Sequence, residues 1–389
     1  LLRAGALTGL VVGSGVLGTG GASPAAAAGR MPAAPVEPAA VNRKQLRFTP
    51  VEPNTLDDVI VPNGYDYRVV ARWGDPVLPG APAFDVHGQT AAAQATQFGY
   101  NCDYVGVLPF PGDADRALMV VNHEYTDEQL MFPGVASPGA TTDEQKRTAM
   151  AAHGLPVVKI RRVRRTGAWR LAKNRRYNRR FTTDTPFRLT GPAAGSALLR
   201  TAANPSGTRV LGTLNNCAGG MTPWGTTLHG EENFNQYFGS SAVVPDPDGT
   251  YKRYGIATAA KPSERQWEKV DTRFDLAKEP NEPHRFGWIV EVDPFDPDSM
   301  PRKLTALGRM KHEGATIALA EDGRAVAYMG DDERFEYIYK FVSKRKFRPG
   351  DSKAAKRHNL TLLDEGDLYV AQFTGDTPGE IDGSGTVPS

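Results

Sequence analysis

The chain has 389 residues, of which 40% are hydrophobic and 23% are charged, as in globular proteins. Its 46 Lys and Arg residues against 44 Asp and Glu give a net charge of +2, which argues against a polyanionic partner over the whole surface. The 41 Gly and 30 Pro favour many turns and short strands over long helices.

The first forty residues are predicted to be an export signal followed by an Ala/Pro-rich linker. Arg3 precedes a weakly apolar, Gly-rich run and a stretch of small residues at positions 25–28. The mild hydrophobicity is typical of a twin-arginine signal, whose arginine pair would lie upstream of Leu1. We therefore expect export through the twin-arginine machinery to the periplasm or the outside, without a stable membrane anchor. A flexible N-terminal linker is the alternative.

Residues 41–389 are predicted to form one all-β domain. Short β-prone runs bounded by turn residues occur at 65–73, 116–125, 156–163, 287–294, 324–332, 337–343 and 367–373. The best helix candidate is 142–154, which ends at Gly154. Many short strands with turn signals predict a sandwich, a barrel or a propeller.

The segment 161–180 carries ten Arg or Lys residues in twenty. Val163, Trp169, Leu171 and Tyr177 interrupt the charges, and a Thr-Gly turn lies between them. This pattern predicts a β-hairpin with a charged outer face. Nucleic-acid binding and steering of an anionic substrate are the alternatives, and we expect no nucleic-acid partner.

Several predicted strands end in polar clusters that contain acids. They are Asn122–Glu124, Glu231 with Glu232, Glu291 with Asp293, His312 with Glu313, and the acids between 331 and 336. In a propeller such ends surround one central channel, where a ring of oxygens would need cations. The alternative is that these acids are solvated turn residues. Because Glu231 and Glu232 face opposite sides of a strand, at most one of them should be a ligand.

Cys217 is one of two cysteines and lies in a polar stretch, fifteen residues before Glu232. A metal-bound thiolate is the favoured interpretation, and a disulfide to Cys102 or an inert thiol is the alternative. Cys102 itself is interpreted as a buried or free thiol. The sequence lacks HExxH, CxxC, GxSxG and phosphate-loop motifs, so zinc-hydrolase, serine-hydrolase and nucleotide signatures are absent. Carboxylates and amides suit calcium, magnesium or manganese, and an added thiolate admits iron.

Over residues 48–373 the chain resembles the PhoX family of exported alkaline phosphatases. The runs that carry the resemblance include "FGYNCDYVGVLP", "VVNHEYTD", "GTLNNCAGGMTPWGTTLHGEENF", "FGWIVEVDPFDP", "MKHEGA" and "YMGDDERFEYIYKFVS". The resemblance implies a six-bladed β-propeller, about four blades of it in this chain, with ferric and calcium ions in the central channel. It also implies hydrolysis of phosphate monoesters, and often diesters, with metal ions supplying the nucleophilic oxygen and neutralising the phosphate.

By the same resemblance, Cys217 would bind iron and Glu232 would be a ligand of the cluster, with Glu313 and Glu124 as further metal carboxylates. Cys217, Glu232 and Glu313 are the expected catalytic residues. Weaker ligand candidates are Asn122, Asn216, His312 and Asp331.

Two positions depart from the family pattern. His229-Gly230 stands where the family usually reads Thr-Cys, and Cys102 stands where it usually reads Asn. The family also continues for about two more blades, so we expect this chain alone to be a poor or inactive phosphatase. The competing functions are a calcium-dependent propeller esterase or lactonase and a non-catalytic propeller that binds a partner.

Overall fold

The computed structural model describes residues 48–372 of the chain. The chain divides into two compact units, Leu1–Tyr67 and Arg68–Ser389. In the first unit, the described residues 48–67 form neither helix nor strand, and the Phe48 ring meets Tyr65 edge-on at 5.6 Å. The predicted signal and linker, 1–40, lie outside the described residues.

The first sheet of the second unit contains five antiparallel strands in the order β1-β2-β3-β4, and β5 also pairs with β3. Its strands are β1 Cys102–Phe110, β2 Asp113–His123, β3 Leu155–Arg162, β4 Trp169–Leu171 and β5 Arg179–Phe181. Three helices accompany this sheet, namely α1 Ala91–Gln94, α2 Glu128–Met131 and α3 Asp143–Ala152. Helix α3 begins with a capping box, in which Thr142 and Gln145 satisfy each other's backbone N–H groups.

The second sheet has six strands in the order β7-β6-β11-β10-β9-β8. They are β6 Pro186–Thr190, β7 Arg209–Leu211, β8 Asn216–Met221, β9 Thr227–Glu231, β10 Ile289–Val292 and β11 Arg302–Leu304. Strands β6 and β11 are parallel, and the other pairs are antiparallel. The short helix α4, Thr250–Arg253, lies between β9 and β10 in the chain.

The third sheet is a four-stranded antiparallel meander. It contains β12 Thr316–Leu319, β13 Arg324–Gly330, β14 Ile338–Lys346 and β15 Gly366–Val370, with helix α5, Lys353–Asn359, between the last two. Single 3-10 turns form at Pro138–Ala140, Ala197–Leu199, Phe234–Tyr237, Trp267–Lys269, Thr272–Phe274, Glu282–Arg285 and Thr305–Leu307.

Two apolar clusters join the sheets. The larger contains Leu118 and Val157 of the first sheet and Phe187 and Val290 of the second. The smaller joins residues of the second and third sheets, such as Leu228 with Phe341. Burial of these side chains is the main force that holds the three sheets together.

The all-β class is confirmed, because strands in sheets dominate the described residues and helices are few. Six of the seven predicted runs contain strands, and the helix predicted over 142–154 is present as α3. The run 65–73 was predicted as a strand and forms none. An alternating pattern alone does not produce a strand, and the described residues provide no neighbouring strand with which this run could pair.

The basic segment 161–180 forms the predicted hairpin. Strand β3 pairs with β4 across the turn at 163–168. The side chains of Arg161 in β3 and Arg170 in β4 are exposed. The described residues form three sheets, where the family resemblance implied about four blades. Among the described residues, no helix has the length and hydrophobicity that crossing a bilayer requires.

Candidate metal centre

Five carboxylates and one thiol come together in two groups of three. In each group, one ligand atom from each residue lies within 4.8 Å of the other two. The first group is Asp103, Glu124 and Cys217, and the second is Glu232, Glu313 and Asp332. A hydrogen bond between the side chains of Glu124 and Glu232 links the groups. We call these six residues the acid–thiol cluster.

The six residues of the cluster lie at or near the ends of strands from all three sheets. Asp103 and Cys217 are the second residues of β1 and β8, and Glu124 and Glu232 directly follow β2 and β9. Glu313 precedes β12, and Asp332 follows β13. Strand β8 contacts β1, β2 and β12, so the sheets meet where these side chains converge.

A bulge in β8 determines where the thiol points. Asn216 pairs with Glu231 and Gly219 pairs with His229, so two residues of β8 oppose the single residue Gly230 of β9. Cys217 is one of these two residues. Because a bulge redirects side chains relative to a regular strand, it turns the thiol towards Asp103, with Sγ and Oδ2 3.7 Å apart.

Glycines let the segment before β12 lie against the β8–β9 hairpin. A Cβ on Gly230 would come within 2.3 Å of the His312 carbonyl oxygen and 2.4 Å of that of Glu313. A Cβ on Gly220 would lie 2.0 Å from the Ala315 oxygen. Gly220 has no positive φ, so its role is close backbone approach rather than a turn. This approach brings Glu313 next to Glu232.

Burial and mutual repulsion raise the pKa values of the clustered acids. Burial, followed by a hydrogen bond to Asp332 and the charge of Glu124, raises the pKa of Glu232 to about 9. Burial, followed by the charge of Asp103, raises the pKa of Glu124 to about 7. The pKa of Glu313 is also raised, first by burial and then by Asp332.

Within the described residues, no Lys or Arg lowers the pKa of Glu124, Glu232 or Glu313. So many acids in one place therefore require either shared protons or a bound cation. The donor set fits metal ions, because carboxylate oxygens suit calcium and a carboxylate–thiolate mixture admits iron.

The protonation state of the Cys217 thiol depends on the same bound cation. Burial, followed by the charges of Asp103 and Glu124, raises its pKa far above the usual value for a thiol. Without a cation the group therefore stays protonated, and a bound metal ion would deprotonate it. Both cysteines are free thiols, Cys102 exposed and Cys217 buried, so the alternative of a disulfide between them is not present.

Of the eight predicted ligands, the structure brings Cys217, Glu232, Glu313 and Glu124 into the cluster. It does not bring in the other four, whose polar atoms mostly bind protein groups. Both ends of the Asn122 amide are occupied, the oxygen by the His229 ring and the nitrogen by backbone carbonyls. Their roles as ligands stay predictions that this geometry does not support.

Asn216 lies on the opposite side of β8 from Cys217 and exchanges hydrogen bonds with Thr213 at 2.8 and 3.0 Å. The His312 ring forms a hydrogen bond through Nε2 with the Gly308 carbonyl oxygen at 2.9 Å, and its buried Nδ1 has no hydrogen-bond partner among the described residues. Asp331 forms an ion pair with Arg253 at 2.9 Å, so its charge is already neutralised.

The sequence interpretation missed two members of the cluster, Asp103 and Asp332. Asp103 follows Cys102, which pairs with His123 near the end of β2, but the register is irregular between Cys102 and Val105, so the sequence pattern alone did not place its carboxylate near Glu124. Asp332 belongs to the acids between 331 and 336 that the sequence pattern singled out, but Asp331 was predicted as the ligand. It is adjacent to Asp331 in the sequence, and only the ion pair of Asp331 distinguishes them.

The two adjacent glutamates have opposite roles, as strand alternation predicted. Glu231 is fully buried and forms an ion pair with the buried Lys303 at 2.7 Å, and it accepts hydrogen bonds from Thr213 and the Trp288 N–H. Glu232 lies in the acid–thiol cluster. Glu231 therefore anchors the strand that positions its neighbour.

Comparisons with known proteins agree with this picture. The profile of the family described as alkaline phosphatase PhoX matches residues 46–387. A solved structure of Pseudomonas fluorescens PhoX in complex with vanadate, a transition-state analogue, is 47% identical, with a TM-score of 0.78. The match covers 85% of this chain and 55% of that protein, so the chain spans about half of its length. No curated protein matches. The chain belongs to the PhoX family of alkaline phosphatases.

Proposed function

We propose that this chain contributes a metal centre that hydrolyses phosphate monoesters to release inorganic phosphate, with phosphate diesters as further substrates. The observation that carries the proposal is the convergence of five carboxylates and a thiol from three sheets. Membership of a phosphatase family supports the reaction class. The vanadate bound by the related protein supports small phosphate esters as substrates, because vanadate is described there as a transition-state analogue.

The cofactors we propose are Fe(III) and Ca²⁺. The group of Cys217, Asp103 and Glu124 would hold the iron, because it includes a thiolate. The all-carboxylate group of Glu232, Glu313 and Asp332 would bind calcium. When bound, such ions supply positive charge and Lewis acidity for the attack of an oxygen on phosphorus and the departure of the alkoxide.

The protein's own groups have two tasks in this proposal. They hold the ions at fixed positions, since the ligands lie at the ends of paired strands rather than on long loops. When no ion is bound, they share protons instead, because the raised pKa of Glu232 keeps it protonated and able to donate a hydrogen bond to Glu124.

We also propose that the three sheets are blades of a β-propeller, with the cluster in its central channel. The meander β12–β15 has the up-and-down antiparallel order of a propeller blade. Export through the twin-arginine route remains a proposal that rests on the sequence of residues 1–40.

The test is turnover by the purified chain with p-nitrophenyl phosphate, after treatment with a chelator and after reloading with calcium and ferric iron. We expect weak hydrolysis that depends on metal and is lost in Glu232→Gln. Asp331→Asn is the matched control, because it alters an adjacent acid outside the cluster. Turnover that survives chelation, or metal loading without any turnover, would overturn the proposed reaction for this chain. A calcium-only esterase is less favoured because it gives the buried thiol no role.

A further inference from the structure

The backbone at the β8 bulge is held by a side chain from the first sheet. Asn122 lies near the end of β2 and is completely buried. Its Nδ2 donates a hydrogen bond to the Cys217 carbonyl oxygen and lies 3.4 Å from that of Ala218. These two residues are the pair that opposes Gly230 in the bulge. One amide therefore contacts both carbonyls of the irregular part of the strand.

The His229 ring completes this arrangement, and the direction of its hydrogen bonds can be deduced. Because Nδ2 of Asn122 faces two carbonyl oxygens, its Oδ1 must be the atom that faces His229, at 2.6 Å from Nδ1. An oxygen can only accept, so Nδ1 carries the ring proton. In a neutral ring Nε2 is then an acceptor, and the Thr227 hydroxyl lies 2.9 Å from it. The chain of donors runs from Thr227 through His229 and Asn122 to Cys217.

We propose that Asn122 and His229 are positioning residues that fix the bulge so that the Cys217 thiol points into the acid–thiol cluster. The three groups come from different strands, since Asn122 is in β2, His229 in β9 and Cys217 in β8. Neither positioning residue contacts a ligand atom of the cluster in this arrangement. The inference rests on the proposed metal centre, but it concerns the orientation of the thiol and not the reaction.

Asn178, which directly precedes β5 of the first sheet, provides a matched control. It is buried, its Nδ2 donates to the carbonyl oxygens of Val77 and Ala172, both at 3.1 Å, and its Oδ1 accepts from the Lys159 N–H. Replacing either asparagine by alanine therefore removes the same kind of contacts and leaves the same kind of unpaired carbonyls. Only Asn122→Ala releases the strand that carries the thiol.

The first measurement is the alkylation rate of Cys217 by iodoacetamide in metal-free, folded protein, in a Cys102→Ser background that removes the exposed thiol. We expect Asn122→Ala and His229→Leu to react about tenfold faster than the parent, the factor that corresponds to one lost hydrogen bond. His229→Gln keeps a donor for Asn122 and should stay near the parent rate, as should Asn178→Ala. Equal rates in Asn122→Ala and Asn178→Ala would overturn the proposal.

The second measurement uses Co²⁺ as a spectroscopic probe, because a thiolate–cobalt bond gives a charge-transfer absorption. We expect the band in the parent, Asn178→Ala and His229→Gln, and its loss or strong reduction in Asn122→Ala and His229→Leu. A full band in Asn122→Ala would contradict the inference. A parent chain with the band but no phosphatase activity would refute the proposed reaction alone. If the parent lacks the band, the metal role of the thiol fails, and the alkylation rates still decide whether Asn122 positions it.

Discussion

The adjacent glutamates at the end of β9, Glu231 and Glu232, should change stability in opposite directions when each is replaced by glutamine. Glu231→Gln removes the partner of Lys303, whose buried ammonium also faces the Arg285 carbonyl oxygen and the rings of Phe286 and Phe187. Removing one member of a buried ion pair typically costs about 3–5 kcal/mol. We expect Glu231→Gln to lower the free energy of unfolding by that amount, with or without metal.

Glu232→Gln should instead stabilise the metal-free protein. Folding raises the pKa of Glu232 from 4.5 to about 9, so the folded state binds its proton more tightly than the unfolded state. The resulting destabilisation grows as the pH rises above 4.5 and levels off above about 9. Since one pKa unit corresponds to about 1.4 kcal/mol, the gain at pH 8 should be several kcal/mol. It should shrink to near zero below pH 4.5, where the carboxyl is protonated in both the folded and the unfolded state.

The assay is urea unfolding of both variants and the parent at pH 8 and pH 5, first with a chelator and then with calcium. Calcium should reverse the sign for Glu232→Gln, because the parent gains binding free energy that the variant lacks. If Glu232→Gln destabilises the chelated protein as much as Glu231→Gln does, the cluster is not a site of uncompensated charge and the reasoning is refuted.

Three further predictions follow from single residues. Cys217→Ser should abolish the thiolate–cobalt absorption and reduce bound iron while calcium binding persists; unchanged iron content would exclude the thiol as a ligand. Gly230→Ala should destabilise the protein by about 1–3 kcal/mol in thermal or urea unfolding, because its Cβ would overlap the His312 carbonyl oxygen; an unchanged midpoint would show that the contact is loose. Phe335 has a φ of +68° and a side chain that is 97% exposed, so Phe335→Gly should leave stability unchanged or raise it by about 1 kcal/mol, and a clear loss of stability would reveal a packing role for the ring.

Local sequence patterns were sufficient for much of the fold. Helix α3 follows from its capping box and Gly154, and the basic hairpin follows from alternating charge around a Thr-Gly turn. The prediction of a strand over 65–73 was wrong because a β-prone pattern describes a single strand and carries no information about a pairing partner. Pairing depends on the rest of the chain.

The candidate site was predictable only in part, for a related reason. Alternation on β9 correctly separated Glu232 from Glu231, because it is a property of one strand. The choice between Asp331 and Asp332 depends on Arg253, which is 78 positions away in the sequence. The role of Asn122 likewise depends on a carbonyl of another sheet. Long-range contacts of this kind leave no trace in local sequence.

Elemental analysis of the purified chain tests the central claim most directly, namely that the acid–thiol cluster is a metal centre. We expect iron and calcium to co-purify with the parent or to reload after chelation. We expect less of both in a Glu232→Gln, Cys217→Ser double variant and no change in Asp331→Asn. A folded parent chain that neither retains nor takes up these metals, or a double variant that binds them as well as the parent does, would contradict the claim.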